Sequence, residues 1–395
     1  MKNPALDRTV CTIISFIIFV LVFRASFYLN QAPFLHDVLS ILRFISWGLF
    51  LMLFFHSPQK IDGLGFWLIT YAGLIGYSTI VHSSDAPFTV ISVGFDILML
   101  WGICKLFLPT YGQFILRTLS IAMSFCVYLN FILLFIYPEG VWITPGGNGY
   151  FLLGGNYNQM GRTIIPAITI TGFYRLRYNQ MHINFPFLIV CSTLTLLYVG
   201  SKTSLVGIVL LIAFYFIKSY RARKWLLISF IIVYGLFQYL AVFAQQDFSK
   251  NEYVVYFVEG VLKKDLTFTN RTEVWLKSIT LFEESPIIGY GYQTDEWYTS
   301  HMGVTTAHNL ILNQLVSGGI VGLSLFVILI FISVKQHLKS PFPASQFLFF
   351  GLCSFLFMMI MEVYPLTYII LLLILLYNSE QFAPEQEPTI EKQNI

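Results

Sequence analysis

The chain has 395 residues, of which 56% are hydrophobic and only 11% are charged. Soluble domains carry roughly a quarter charged residues, and 39 Phe and 23 Tyr would aggregate if they faced water. This composition excludes a soluble enzyme, a secreted disulfide scaffold and a disordered chain. The net charge of +3 gives no argument for a nucleic-acid partner. The sequence therefore predicts an integral membrane protein with an all-α polytopic fold.

Apolar runs of about the 20 residues that a bilayer-spanning helix needs recur along the chain. They predict about twelve transmembrane helices, nine before a long loop and three after it. The predicted spans are 10–29, 38–56, 64–81, 87–108, 114–137, 157–175, 184–200, 203–218, 225–243, 309–334, 343–362 and 364–378. The first is interpreted as a span rather than a cleavable signal peptide, because it lacks a small-residue cleavage site and further spans follow at once.

Basic residues indicate the orientation of these spans. With a cytoplasmic N-terminus, most of the 23 Lys and Arg residues lie on the inner side, whereas the short outer loops carry Asp37, Asp85 and Glu139. Under the positive-inside rule, both termini are then cytoplasmic. The predicted regions are transmembrane helices in 1–243, a large outer loop in 244–308, transmembrane helices in 309–378 and a cytoplasmic tail in 379–395.

The outer segment 244–308 is much longer than ordinary connections, and loops of that length are usually functional or disordered. Its many aromatic residues argue against disorder. Within it, residues 271–284 place Trp275, Ile279 and Phe282 near helical spacing. This pattern predicts an amphipathic helix at the outer membrane surface.

Candidate chemistry lies at the outer face, because the inner loops are too short for a catalytic domain. No P-loop, dinucleotide, zinc or Ser-His-Asp motif stands in a usable context. Basic residues in or near spans are costly and usually face a cavity or a partner. Arg24 and Arg43 fit snorkelling or an ion pair, for which Asp96 is an available acid. Arg162 and Lys202, near outer span ends, fit a structural or a functional role equally.

The segment AHNLILNQLVSGGIVG (307–322) carries the strongest local pattern, with His308 and Asn309 where the long loop meets the next span. A lone His there is usually a helix cap, and the following Gly residues usually allow close helix packing. Arg271 and Lys202 at the same outer face favour a second interpretation. A neutral imidazole takes a proton from a hydroxyl, and two cations hold a diphosphate and stabilise its growing charge.

Together these motifs resemble those of the bacterial O-antigen ligase and polysaccharide polymerase superfamily. The resemblance is clear over 195–335 and rests on G-S-K-T-S (200–204), N-R-T-E-V-W (270–275), S-P-I-I-G-Y-G-Y (285–292), His308-Asn309 and Gly319-x-x-Gly322. Lys202 stands where an Arg is usual in this superfamily. This departure weakens a bidentate phosphate contact at that position.

The resemblance implies a GT-C-like fold and a membrane glycosyltransferase of the bacterial inner membrane, with its active site facing the periplasm. Such an enzyme moves an undecaprenyl-diphosphate-linked oligosaccharide or polysaccharide to a sugar hydroxyl, with inversion and without a metal or other cofactor. His308 would be the base, Arg271 would clamp the diphosphate, and Lys202 would be a second cation. The further candidate substrate contacts are Arg162, Asn309, Tyr290, Tyr292 and Trp275.

Two branches of the superfamily stay open. A polymerase moves the growing chain onto a fresh lipid-linked repeat unit, whereas an O-antigen ligase moves it onto lipid A-core. We favour an O-antigen or capsular polysaccharide polymerase, partly because each polysaccharide gene cluster carries its own polymerase. A flippase for lipid-linked oligosaccharides is disfavoured by the absence of paired broken helices in the two halves. Membrane lipid and a chain-length regulator are the other partners considered.

Overall fold

The computed structural model describes residues 4–30, 32–56, 60–82, 87–143, 149–180, 182–217, 220–245, 271–339 and 342–382. These ranges are mainly helical, as the composition predicted. A short antiparallel hairpin pairs β1 (Trp142–Ile143) with β2 (Gly149–Tyr150). The part of the predicted outer loop over 246–270 lies outside the described residues, as do the tail residues 383–395.

Helices before the long loop correspond to the predicted spans. They are α1 (Pro4–Ser26), α2 (Pro33–His56), α3 (Gly63–His82), α4 (Pro87–Ile136), a 3-10 helix (Tyr157–Gln159), α5 (Gly161–Tyr178), α6 (Phe185–Tyr198), α7 (Lys202–Phe216), α8 (Tyr220–Phe237) and a π-helix (Gln238–Phe243). The later helices are α9 (Arg271–Glu284), α10 (Asp295–Met302), α11 (Leu310–Lys339), α12 (Pro343–Met358), α13 (Leu366–Tyr377) and a 3-10 helix (Ser379–Phe382).

Within the described ranges, six segments are long and apolar enough to cross a membrane. They are Asp7–Ser26, Pro33–His56, Gly63–His82, Ser92–Ile136, Trp225–Phe243 and Leu310–Lys339. Shorter apolar helices are α6, α7, α12 and α13. An all-α multi-pass membrane protein is therefore confirmed. The count of twelve spans and the GT-C-like architecture stay predictions.

The spans predicted at 87–108 and 114–137 meet inside α4 without a loop between them. Pro109 lies within this helix, and Tyr111 has non-helical dihedral angles of φ −124° and ψ 20°. A proline removes one backbone hydrogen bond and clashes with the preceding turn, so it kinks the helix here.

Helix α5 forms the centre of the bundle and is buried along most of its length, packed against α4 and α12. Its small residues permit this close approach. A Cβ added at Gly161 would lie 2.3 Å from the Ser204 hydroxyl, and one added at Gly172 would lie 2.2 Å from the Phe347 ring. Small residues let helix backbones approach closely, and here they bring the N-terminus of α5 into the middle of the molecule.

Helix α11 is broken at Gly319, whose φ of 59° and ψ of −161° lie outside helical space. The turn before α10 fills the break. The backbone N–H of Ile320 donates to the Pro286 carbonyl at 2.8 Å, and the N–H of Tyr290 donates to the Val316 carbonyl at 2.8 Å. A Cβ at Gly319 would lie 2.3 Å from the backbone of Ile287. The break at Gly319 therefore brings the motif over 285–292 into direct contact with the Gly319-x-x-Gly322 motif, rather than only allowing helix packing.

Candidate active site

A cavity of about 680 Å³ opens between α1, α2, α4, α11, α13 and the N-terminal end of α5. This volume is in the range of ligand-binding pockets. Its arginine, histidine and aspartate lining residues are Arg24, His36, Arg43, Asp96, Arg162, Asp295 and His308. The predicted base and one predicted substrate contact, Arg162, therefore share one cavity.

Asn309 fixes the position of the predicted base at the start of α11. Its side-chain oxygen accepts from the backbone N–H of Leu312 at 3.0 Å, which is the bonding of a helix N-cap. Its amide nitrogen donates to the Ile360 carbonyl at 2.9 Å and to the Gln238 side chain at 3.1 Å. Asn309 is fully buried and ties the residue after His308 to two other parts of the chain.

The backbone of His308 adopts a left-handed conformation with φ of 48°. A non-glycine residue rarely adopts this conformation, which costs of order 1–3 kcal/mol unless the surrounding structure enforces it. The bonds of Asn309 and the backbone bond from the N–H of Leu310 to the Met359 carbonyl at 2.9 Å enforce it here. Such strain is concentrated at functional sites.

Glu362 connects the predicted base to the predicted clamp. Its carboxylate accepts a hydrogen bond from Arg271 Nη2, lies 3.3 Å from His308 Nδ1 and accepts from Gln159 Nε2 at 3.4 Å. The Glu362 side chain is 2% exposed, Arg271 is 12% exposed and His308 is 27% exposed. A buried carboxylate needs a partner charge, and Arg271 supplies it.

This arrangement orients the imidazole of His308. A carboxylate beside Nδ1 favours the tautomer with its proton on Nδ1, which leaves Nε2 as the acceptor. Nε2 can then take a proton from a hydroxyl in the cavity.

Sequence reasoning missed Glu362, which is 54 residues from His308 in the chain. The only signal was an acidic residue at the end of an otherwise apolar predicted span. Intramembrane ionisable residues are functional candidates in their own right, so the span 343–362 held a usable clue.

Lys202 is the first residue of α7 and is not among the residues that line the cavity. Arg162 lines the cavity and donates from Nη2 to the Ser26 carbonyl at 3.2 Å. Arg271 is also not among the lining residues; its Nη2 donates to Glu362, whose carboxylate lies beside His308. The structure thus brings His308 and Arg271 together, whereas the role of Lys202 at this site stays a prediction.

The predicted helix over 271–284 is confirmed as α9. Its Trp275 is fully buried and packs at right angles to Phe237 with ring centroids 6.2 Å apart. Its opposite side carries an exposed ion pair between Glu273 and Lys277 at 2.7 Å. Hydrogen bonding and attraction from Lys277 lower the pKa of the Glu273 carboxyl.

The two tyrosines of the turn before α10 have different surroundings. Tyr292 lines the cavity. Tyr290 instead donates its hydroxyl to Glu284 at 2.9 Å and packs against Trp297 with ring centroids 5.1 Å apart. Burial and then Glu284 raise the pKa of Tyr290 to about 12. Sugar contacts by Tyr290, Tyr292, Trp275 and Asn309 stay predictions.

Of the two arginines in early spans, Arg43 has the predicted ion pair. Its Nε donates to Asp96 Oδ1 at 2.9 Å, and its Nη2 donates to Asp96 Oδ2 at 2.5 Å. Arg24 makes no ion pair with the residues that the structure describes. No cluster of three or more metal-ligating side chains occurs among those residues either. Whether the protein needs a metal is a separate prediction.

Residues 187–327 match the family model of the O-antigen ligase. The resemblance to the O-antigen ligase and polymerase superfamily is thereby confirmed. A stretch of 115 residues is 27% identical to the exopolysaccharide production protein ExoQ of Rhizobium meliloti (strain 1021) and covers 25% of this chain. The matched stretch spans 26% of the length of that relative. The family match includes Lys202, Arg271, His308 and Gly319.

Proposed function

We propose that this protein is a membrane glycosyltransferase that moves a glycan from an undecaprenyl-diphosphate carrier to a sugar hydroxyl at the outer leaflet of the bacterial inner membrane. The observation that carries the proposal is the buried Glu362 carboxylate, which contacts both Arg271 and His308. Of these three residues, His308 lines a cavity large enough for substrate. His308 and Arg271 also lie in the region that matches the O-antigen ligase family.

In the proposed reaction, His308 Nε2 takes the proton of the acceptor hydroxyl as its oxygen attacks the anomeric carbon of the donor sugar. A new carbon–oxygen bond forms on the face opposite the diphosphate, and the bond to the diphosphate breaks. Undecaprenyl diphosphate leaves with the electron pair, and the configuration at the anomeric carbon is inverted. The Glu362 carboxylate stabilises the imidazolium that forms on His308.

Arg271 is the proposed clamp for the departing diphosphate. A guanidinium has five N–H donors, and one hydrogen bond, to Glu362, is found for Arg271 among the described residues. The remaining donors suit phosphate oxygens, and charge-assisted bonds of this kind stabilise developing negative charge. Lys202 is proposed as a second cation. No cofactor enters this mechanism.

The proposed branch is the O-antigen or capsular polymerase, whose acceptor is a fresh lipid-linked repeat unit. The excess of basic residues in alternate loops supports cytoplasmic termini and an outward-facing site. A chain-length regulator is a proposed partner. The relative named for exopolysaccharide production supports a role in polysaccharide assembly.

The test is complementation of a deletion strain with the wild-type gene, His308→Ala or His301→Ala, followed by a gel of surface polysaccharide. His308→Ala should lower transfer about 100- to 10,000-fold, the usual contribution of a general base. His301 is an exposed residue of α10 outside the cavity lining, so His301→Ala is the matched control. Membrane-protein levels are compared by blot.

Normal long chains in the His308→Ala strain would overturn this mechanism. The deletion strain itself separates the branches. A single repeat unit retained on lipid A-core indicates a polymerase, whereas accumulated undecaprenyl-linked polymer with bare core indicates a ligase.

A further inference from the structure

Two arginines on the cavity wall, Arg24 and the predicted substrate contact Arg162, have no step assigned to them in the proposed reaction. Arg24 and Arg162 each bury the Nε atom without a hydrogen-bond partner in the described part of the chain. The ion pairs found among those residues include neither of them. A buried polar donor without a partner destabilises the folded protein, and more so when it is charged. Both side chains line the cavity, so an anion bound there would supply the missing partner.

The other charged side chains on the wall do not cancel these two cations. Arg43 and Asp96 form a closed pair with side chains only 5% and 7% exposed. Asp295 is exposed, where solvent and salt screen its charge. The part of the wall that carries Arg24 and Arg162 therefore has an excess of positive charge.

The fold holds the two arginines at one place. Arg162, the second residue of α5, donates from Nη2 to the carbonyl of Ser26, two residues after Arg24 at the end of α1. The hydroxyl of Tyr368 on α13 lies 2.8 Å from the Ser26 hydroxyl and 3.0 Å from the Thr163 hydroxyl. Both helix ends are thus tied to the same tyrosine, which fixes their spacing before any ligand binds.

We propose that Arg24 and Arg162 form a second anion subsite, which binds a phosphate group of the lipid-borne acceptor. Planar guanidinium groups bind phosphate oxygens in a bidentate manner that Lys cannot reproduce. This inference rests on the proposed function, because only a transfer between two lipid-borne glycans brings two phosphate-bearing groups to the same base, His308. One group lies at Arg271 beside the base, and the other lies at Arg24 and Arg162.

The test measures binding of farnesyl diphosphate to the purified full-length protein in detergent by titration calorimetry. The wild type should bind two molecules per chain. The double variant Arg24→Gln, Arg162→Gln should bind one, and so should Arg271→Gln. Arg117→Gln removes an exposed arginine of α4 outside the cavity lining and should keep both sites.

Thermal unfolding gives a second readout. Because the Arg24 charge is partly buried without an ion pair, Arg24→Gln should leave the unfolding midpoint unchanged or raise it. A residue with a purely structural role would lower the midpoint instead, and that result would overturn the subsite.

Two further results of the titration would overturn the subsite. Two molecules bound to the double variant would overturn the subsite. One molecule bound to the wild type and lost only in Arg271→Gln would overturn the subsite while leaving the proposed function intact. Competition arms then distinguish the sources of the phosphate. If diphosphorylated lipid A displaces farnesyl diphosphate from Arg24 and Arg162, the subsite binds the acceptor of a ligase. If farnesyl diphosphate stays bound there, the subsite binds an isoprenyl diphosphate acceptor.

Discussion

Two buried arginine–carboxylate pairs in this protein have different construction. In the first, Arg43 on α2 donates two hydrogen bonds to the Asp96 carboxylate on α4, and Trp47 donates to the same carboxylate at 3.0 Å. Arg43 also donates to the Ser92 carbonyl at 2.7 Å. Both charged side chains are thus hydrogen-bonded, and the pair joins α2 to α4.

The second pair, Arg271 and Glu362, joins α9 to the connection between α12 and α13. Its carboxylate also meets His308, whose side chain is 27% exposed and lines the cavity. Both pairs lie at or beside the cavity, but the Asp96 carboxylate accepts hydrogen bonds from Arg43 and Trp47, whereas the Glu362 carboxylate also contacts the imidazole of His308. This difference separates a pair that stabilises the bundle from a pair that orients a reactive group, and it can be tested.

The largest expected effect on stability follows from breaking the Arg43–Asp96 pair. Asp96→Asn leaves the Arg43 charge buried without a counter-charge, and such a change costs about 3–5 kcal/mol. The free energy of unfolding of the purified protein in detergent should fall by that amount. Activity per folded molecule should fall far less than in Glu362→Gln, because the hydrogen bonds of Asp96 in the described part of the chain do not include Glu362 or His308. Glu273→Gln removes an exposed ion pair, which contributes little to stability because solvent screens it, and is the control.

Breaking the Arg271–Glu362 pair should lower the reaction rate more than the stability. Glu362→Gln keeps the size of the side chain but removes the charge that orients and stabilises the His308 imidazolium. In Ser-His-Asp triads, loss of the orienting carboxylate costs about 10,000-fold in rate, and we expect a loss of at least about 100-fold here. Polymer synthesis in membrane vesicles measures the rate, and farnesyl diphosphate binding shows that the donor site persists. An unchanged rate would contradict the orienting role.

A third change tests whether the break in α11 at Gly319 holds His308 and the Arg271–Glu362 pair in place. Gly319→Ala puts a Cβ against the Ile287 backbone at a conformation that is essentially limited to glycine, which costs about 1–3 kcal/mol. Both stability and activity should fall, because the start of α11 carries His308. Gly322→Ala is the matched control, since its Cβ would meet its nearest neighbour at an ordinary 3.6 Å. Equal losses in both variants would argue against the break as an anchor.

The smallest effect is expected at the start of α7. Lys202→Arg keeps the charge and restores the residue that the superfamily usually has there. Long-chain polysaccharide from the complemented deletion strain should match the wild type or exceed it. A loss comparable to that of His308→Ala would show that the ammonium of Lys202 itself is required.

Local sequence patterns determined the class of protein and most of its helices. Apolar runs indicated the helices of the bundle because the length of a span follows from the thickness of the bilayer. The amphipathic spacing of residues 271–284 predicted α9, which ends at Glu284 as expected. The Asn309 cap at the start of α11 also follows from a local preference. Such features depend on neighbours within a few residues, so they can be predicted from one sequence.

Only the tertiary structure decided which distant side chains meet. Glu362 contacts His308 because two helix connections pack together, and no periodicity links residues 54 positions apart. The choice of Arg43 rather than Arg24 as the partner of Asp96 depends on the rotation of each helix about its axis. The break at Gly319 likewise depends on a segment some thirty residues earlier that supplies its hydrogen bonds. These contacts arise from packing geometry, which a local pattern of apolar and polar residues does not encode.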